Sequence, residues 1–361
     1  MTLSRWQWVI LFLLVIGFIA AGGILGFVFA SLLSFIPAYY YLRSIRNAEE
    51  DDIEPWSALG TAFAWGAISG VFLAGIFNAL GTSLILVFLA EADSGFSFED
   101  TAIIVGAVIV APIVEELVKP LVMFRNQQVK QEVDEIEDGI VYGAACGLGF
   151  GATENVLYGL SEGATAAGIA GIFVIILLRT VSSILLHLVA TSYTGYGIAK
   201  YQLENEPFTV VIKYYLLAVL IHAAWNAMAV SSLVFDNEIG TGLLFLLSIS
   251  LAIGGLEMAK RRIRELDVAG SNIGSNDIRS GSGLSPISNQ WERRSGWEQK
   301  KLDSSGVDRG QYSSSAVGQN ADALYSSDDK NEVQEWASNI DWRSAIGTII
   351  FLIFIAANAF P

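Results

Sequence analysis

The sequence predicts an all-α protein: a polytopic bundle of transmembrane helices with about eight core spans and an additional C-terminal ninth. Three observations carry this. Of 361 residues, 53% are hydrophobic and 16% charged, and the mean hydropathy is +0.50. A soluble domain holds about 45–50% apolar and about 25% charged residues. Second, uncharged apolar stretches run 6–42, 56–90, 101–114, 139–153, 163–178, 180–199, 214–235 and 239–256, and a membrane-crossing helix needs roughly 20 such residues. Third, basic residues alternate along the chain. The linkers 43–55, 125–138 and 200–213 hold Arg43 and Arg46, Arg125 and Lys130, and Lys200 and Lys213, whereas 91–100, 161–166 and 233–240 hold none. That alternation predicts eight passes through the cell membrane with a cytoplasmic N-terminus. The formal net charge of −15 argues against nucleic acid, which wants a basic face. The single cysteine, Cys146, excludes an intramolecular disulfide framework.

The first stretch is too long for one pass. As a single helix it would extend about 55 Å against a core of about 30 Å, and Gly22-Gly23 is the natural place to fold it in two. A cleaved signal peptide is the rival reading, set aside because a second long apolar run follows at once. Residues 1–264 thus form the membrane domain. Residues 265–342, rich in Ser, Gly and Asn, read as a flexible cytoplasmic tail. Residues 343–361 contain a further apolar run, taken as a ninth span with an interfacial segment as the alternative. The acidic excess belongs to the membrane domain, since residues 1–260 hold 23 acidic and 10 basic side chains. The acids of 49–52 and 132–138 read as solvated surface.

Ionisable groups inside hydrocarbon are expensive and mark functional sites. The fourth span carries Glu115, Glu116 and Lys119, which share one helical face, between Pro112 and Pro120, which bend the helix. One lysine cannot neutralise two carboxylates. The fifth span sets Gly139, Gly143, Gly147 and Gly151 four apart, a stripe that admits another helix closely. Glu154, Asn155 and Tyr158 follow. The sixth places Arg179, Ser183, His187 and Thr191 at intervals of four. The seventh carries His222 and Asn226 on one face. Counted at about 1.5 Å per residue, the polar groups fall in one layer about 10 Å tall near mid-membrane.

These residues compose four motifs: EExxK at 115–119, FxxxEN at 150–155, His187 ahead of Gly195-Tyr196-Gly197, and HxxWN at 222–226. In this order they resemble the PrsW family of intramembrane proteases, relatives of the CAAX prenyl proteases, over about residues 24–262. The resemblance implies an endopeptidase for membrane-anchored protein substrates in the lipid bilayer. Two mechanisms fit. In one, Glu115 or Glu116 activates water while His222 or Asn226 stabilises the oxyanion, and Lys119 holds the other carboxylate ionised. Glu154, Asn155, Arg179 and Tyr158 complete that site. In the other, His187, His222 and a glutamate, Glu154 or Glu116, bind zinc and leave one position for water. No HExxH helix strengthens the zinc reading, and the metal-free route is preferred. A non-catalytic membrane scaffold or chaperone would be expected to lack the paired glutamates or a histidine. A proton-coupled transporter would show an internal repeat, which the sequence does not.

Overall fold

The computed structural model describes residues 3–50, 52–89 and 97–279, with side chains to 269. Every described element is helical, and six helical segments are long and apolar enough to cross a membrane. They are built from α1 (Arg5–Arg46), α2 (Trp56–Leu89), α3 (Phe98–Arg125), the short α4 (Gln127–Glu132), α5 (Ile136–Tyr158), α6 (Ala164–Val181), α7 (Ser183–Leu203), α8 (Thr209–Ala229) and α9 (Glu238–Arg279). Large apolar side chains such as Leu25, Val87, Phe88 and Leu220 point outward. In water that would be a liability, but it is the natural surface of a protein solvated by lipid.

The segment count is lower than the stretch count because the stretches 139–153, 163–178 and 180–199 are joined in one helical segment, Ile136–Leu203, and the chain reverses direction inside that segment as well as inside α1. Gly23 has φ 70° and ψ 171°, a backbone state that glycine reaches without a Cβ clash. Beyond it the two arms of α1 lie together. Phe18 and Phe27 stack at 6.2 Å. Gln7 donates to Ser69 Oγ at 3.3 Å, while Phe35 packs on Phe63 with ring centroids 6.0 Å apart. In one straight helix Gln7 and Phe35 would stand about 42 Å apart, yet Ser69 and Phe63 are only about 9 Å apart on α2.

The second reversal builds the centre of the bundle. A π-helical turn, Gly159–Gly163, joins α5 to α6, and the chain turns back at Ala167 and Gly168, where Gly168 has φ 57°. Helices α6 and α7 then return antiparallel to α5, with a break at Ser182. The glycine stripe explains the closeness. A Cβ on Gly139 would come within 2.5 Å of the Gly195 carbonyl, on Gly143 within 2.5 Å of the Thr191 carbonyl, and on Gly147 within 2.1 Å of the His187 carbonyl. On its other face α5 meets α2 equally tightly, Gly149 against Phe63 and Gly66 against Cys146. Almost all of α5 is buried. It is the helix on which the others are placed.

Two expectations need correction. The last membrane helix does not give way to tail at 265. α9 continues to Arg279, because Ile263 and Asp267 are buried against the bundle and the Lys260–Glu257 and Arg261–Glu265 pairs support the helix on its exposed side. The rest of the expected tail and the apolar run in 343–361 lie outside the described residues. Nor are all the loop acids solvated surface: Glu50 and Asp52 are exposed, but Glu49, Glu137 and Asp138 are buried, as is nearby Glu54. Burial, with like charges nearby, pushes Glu49 up to about 9 and Glu54 up to about 8.

Candidate active site

Five helices, α3, α5, α6, α7 and α8, bring the ionisable groups together. α3 is irregular where it supplies them. A π-helical turn at Val105–Val110 leads into Pro112, and Pro120, which cannot donate, lies in a tightened turn at Lys119–Leu121. Trp65 Nε1 donates to the Val118 carbonyl at 3.1 Å, and the Tyr215 hydroxyl to that of Ile113 at 2.8 Å. The helix that presents Glu115, Glu116 and Lys119 is thereby held from both neighbours.

Glu116 is fully buried and fully engaged. Its Oε1 accepts from Lys119 Nζ at 2.8 Å and pairs with His222 Nδ1 at 2.8 Å. Its Oε2 accepts from the Thr191 hydroxyl at 2.9 Å. Glu115 differs. Oε1 accepts from Asn78 Nδ2 at 3.2 Å, but Oε2 is buried with no hydrogen-bond partner. Around that oxygen stand Lys119 Nζ at 3.3 Å, His222 Nε2 at 3.9 Å and His187 Nδ1 at 4.0 Å. One glutamate is fixed and the other keeps a free oxygen.

His187 links two charge groups. Lys119 Nζ donates to its Nδ1 at 2.8 Å, so Nε2 carries the proton and donates to Glu154 Oε2 at 2.8 Å. Glu154 also accepts from Arg179 Nη2 at 2.7 Å. Arg179 Nε donates to Asn155 Oδ1 at 2.9 Å, Nη2 reaches Ser183 Oγ at 3.0 Å, and the guanidinium stacks 3.9 Å from the Tyr158 ring. Lys119 is itself 4.4 Å from the Phe150 ring, and the two imidazoles meet edge-on at 5.0 Å. Three carboxylates thus face two permanent cations.

The inner groups are sealed, with Glu116 and Lys119 at 0% exposure, whereas the Glu154 and Arg179 side chains retain 17% and 18%. The site has a closed floor and a rim at Arg179 and Tyr158. Breaking a buried ion pair by removing one partner costs about 3–5 kcal/mol. Lys119→Met is therefore expected to lower stability by about that much, read as a fall in the detergent-solubilised melting temperature.

The expected residues converge, with two changes. Asn226 does not join the carboxylates: its Nδ2 donates to the Ala107 carbonyl at 2.6 Å, in the π-helical turn of α3 where regular helical pairing is interrupted. Asn226→Ala is expected to cost about 1–2 kcal/mol of stability and less than tenfold in activity, measured side by side. The second change concerns metal ligation. Glu115, not Glu154, groups with His187 and His222, one ligand atom from each lying within 4.8 Å of the others. Glu154 is held at the far nitrogen of His187 by Arg179. Sequence reasoning missed Asn78, although a lone amide in the run VFLAGIFNALG was a visible signal.

A family model described as the PrsW family intramembrane metalloprotease matches residues 54–253, which include all four motifs. The chain belongs to the PrsW family. A relative, Protease PrsW of Clostridioides difficile (strain 630), is 29% identical over 198 residues, covering 54% of this chain and 76% of that protein. No solved structure matches the chain. The described family activity, intramembrane proteolysis, agrees with the position of these groups on helices long and apolar enough to cross a membrane.

Donor chemistry in the site suits a zinc-type ion. Two imidazoles and one carboxylate make a ligand set of catalytic type, and Glu115 Oε2 is the orphaned atom such a set would use. Lys119 already places a positive charge in the same space.

Proposed function

We propose that this protein is an intramembrane endopeptidase in which Glu115 activates water to hydrolyse a peptide bond of a membrane-anchored protein. The observation that carries the reading is the asymmetry of the glutamates. Glu116 has both oxygens hydrogen-bonded, while Glu115 Oε2 is buried, accepts no hydrogen bond and faces Lys119 Nζ at 3.3 Å with a histidine on either side. A base must reach the proton it takes, and only Glu115 of the pair has an oxygen to do so.

In a metal-free form His222 is held by Glu116 through Nδ1. Its Nε2 faces Glu115 Oε2 and serves, when it carries a proton, as oxyanion donor, a role left to His222 by the engagement of Asn226. Glu115 takes a proton from water, the hydroxide adds to the scissile carbonyl, and the proton passes to the leaving amine as the C–N bond breaks. Lys119 and Thr191 position Glu116, which in turn orients His222. Glu154, Asn155 and Arg179 orient His187 and line the rim through which the substrate segment enters.

A second reading rests on the convergence of Glu115, His187 and His222. Those three residues would hold a zinc-type ion, which when bound supplies a water of lowered pKa. Zinc analysis of the purified protein separates the two. Activity that survives a strong chelator at substoichiometric zinc is expected; one zinc per chain, lost together with activity, would establish the second reading instead.

The function itself is tested by comparing membrane proteomes of cells expressing the wild-type chain and Glu115→Gln. Shortened membrane proteins with new termini in or near the bilayer are expected only with wild type. Identical proteomes would contradict the protease.

A further inference from the structure

A second cluster of carboxylates lies at the Arg46 end of the bundle, away from the site above. Asp138 sits 16 residues before Glu154 on α5, about 24 Å along the helix axis. Glu49 and Glu54 come from the loop between α1 and α2, and Asp138 from the first turn of α5. One carboxylate oxygen of each lies within 4.8 Å of the others. All three are buried, at 3%, 4% and 2% exposure. Each is aimed by a named contact. Asp138 Oδ2 accepts from the amides of Asp134 and Glu135 at 2.9 and 2.6 Å, Glu49 Oε2 accepts from the Glu54 amide at 3.3 Å, and the buried Tyr142 hydroxyl donates to Glu54.

Two observations point beyond a self-contained cluster. Glu49 Oε1 is buried without a hydrogen-bond partner, and so is Oε1 of the adjacent, buried Glu137. Further acids crowd the cluster, Glu137 and Asp267 beside Glu49 and Asp134 and Glu132 beside Glu54, while Asp138 shares a hydrogen bond with Glu54. An unpaired buried carboxylate oxygen costs free energy that an ion can offset.

We propose that Glu49, Glu54 and Asp138 form a binding site for a hard divalent cation, Ca²⁺ or Mg²⁺, that fastens the α1–α2 loop to the start of α5. Carboxylate-only donors select hard ions over zinc or copper. Asp267 of α9, which accepts from the Glu50 amide at 2.8 Å, ties the same loop to a third element. The bound ion therefore stabilises the packing of α5 without touching the proteolytic groups.

The test uses the purified full chain in detergent, stripped with EDTA and titrated with CaCl₂ or MgCl₂. At about 100-fold excess over the dissociation constant, a saturable rise in melting temperature of about 5 °C is expected. The more effective salt identifies the ion. Glu49→Gln and Asp138→Asn should abolish the rise while melting in EDTA close to the wild-type temperature, since each amide keeps the shape and an acceptor oxygen for the backbone N–H contacts. That second readout separates lost binding from lost folding. Glu115→Gln should keep the full rise. Terbium supplies an independent probe: emission sensitised by Tyr142 should appear, be displaced by the favoured ion and vanish in Tyr142→Phe. A wild-type chain with neither a saturable shift nor terbium emission, or a shift unchanged in both carboxylate variants, would overturn the proposal.

Discussion

Glu115→Gln is expected to reduce turnover of a membrane-anchored substrate by about a thousandfold or more, with the protein still folded. General-base catalysis contributes about 10²–10⁴, and the amide cannot accept the proton of water at all. The substitution is otherwise mild. Gln keeps an oxygen for Asn78, Lys119 keeps its 2.8 Å partner Glu116, and the volume is unchanged. The rim at Arg179 and Tyr158, where we propose that the substrate segment enters, is untouched. The variant should therefore capture substrate without cutting it, so co-purification with an affinity-tagged substrate should exceed that of wild type. Turnover in proteoliposomes, with circular dichroism and gel filtration on the same preparation, is the check. Cleavage within tenfold of wild type would remove Glu115 from the chemistry.

The second large effect is steric and lies away from the carboxylates. Gly147→Ala places a methyl 2.1 Å from the His187 carbonyl oxygen. Backbone cannot rotate aside as a side chain can, so α5 and α7 must separate by an ångström or more. These helices carry Glu154 and His187, whose 2.8 Å hydrogen bond fixes the ring that Lys119 meets on its other nitrogen. A misplacement of about 1 Å costs on the order of a hundredfold in rate, and the lost packing costs stability as well, because small residues are what let membrane helices approach. Activity at 1% of wild type or less is expected, with a lowered melting temperature. Gly75→Ala, where the added methyl meets nothing within 4 Å, is the control and should change neither.

Much of this was legible because membranes simplify the reading. Hydrocarbon makes long uncharged runs obligatory, so the helices, the fold at Gly22-Gly23 and the glycine stripe of α5 stood out. Hydrocarbon also makes charge rare, so Glu115, Glu116, Lys119, Glu154, Arg179 and both histidines marked the site. Partner choice was not legible. Asn226 shares a helical face with His222, yet a carbonyl in the π-helical turn of α3 takes its amide, and that turn leaves no periodic trace in an apolar run. The difference between Glu115 and Glu116 depends on Thr191 and Asn78 arriving from other helices. Composition misled at the loops, where Glu49, Glu54 and Asp138 have the appearance of surface acids but are enclosed by α1, α5 and α9.

The central claim is that the paired glutamates divide their labour, one fixed by its neighbours and one free to react. Parallel measurement of turnover and melting temperature on Glu115→Gln and Glu116→Gln tests it most directly. The account predicts that Glu115→Gln abolishes turnover with a melting temperature within about 2 °C of wild type. Glu116→Gln, which strips charge from the contacts with Lys119 and His222, should lower the melting temperature far more. The reverse pattern, a stable but inactive Glu116→Gln beside an active Glu115→Gln, would contradict it.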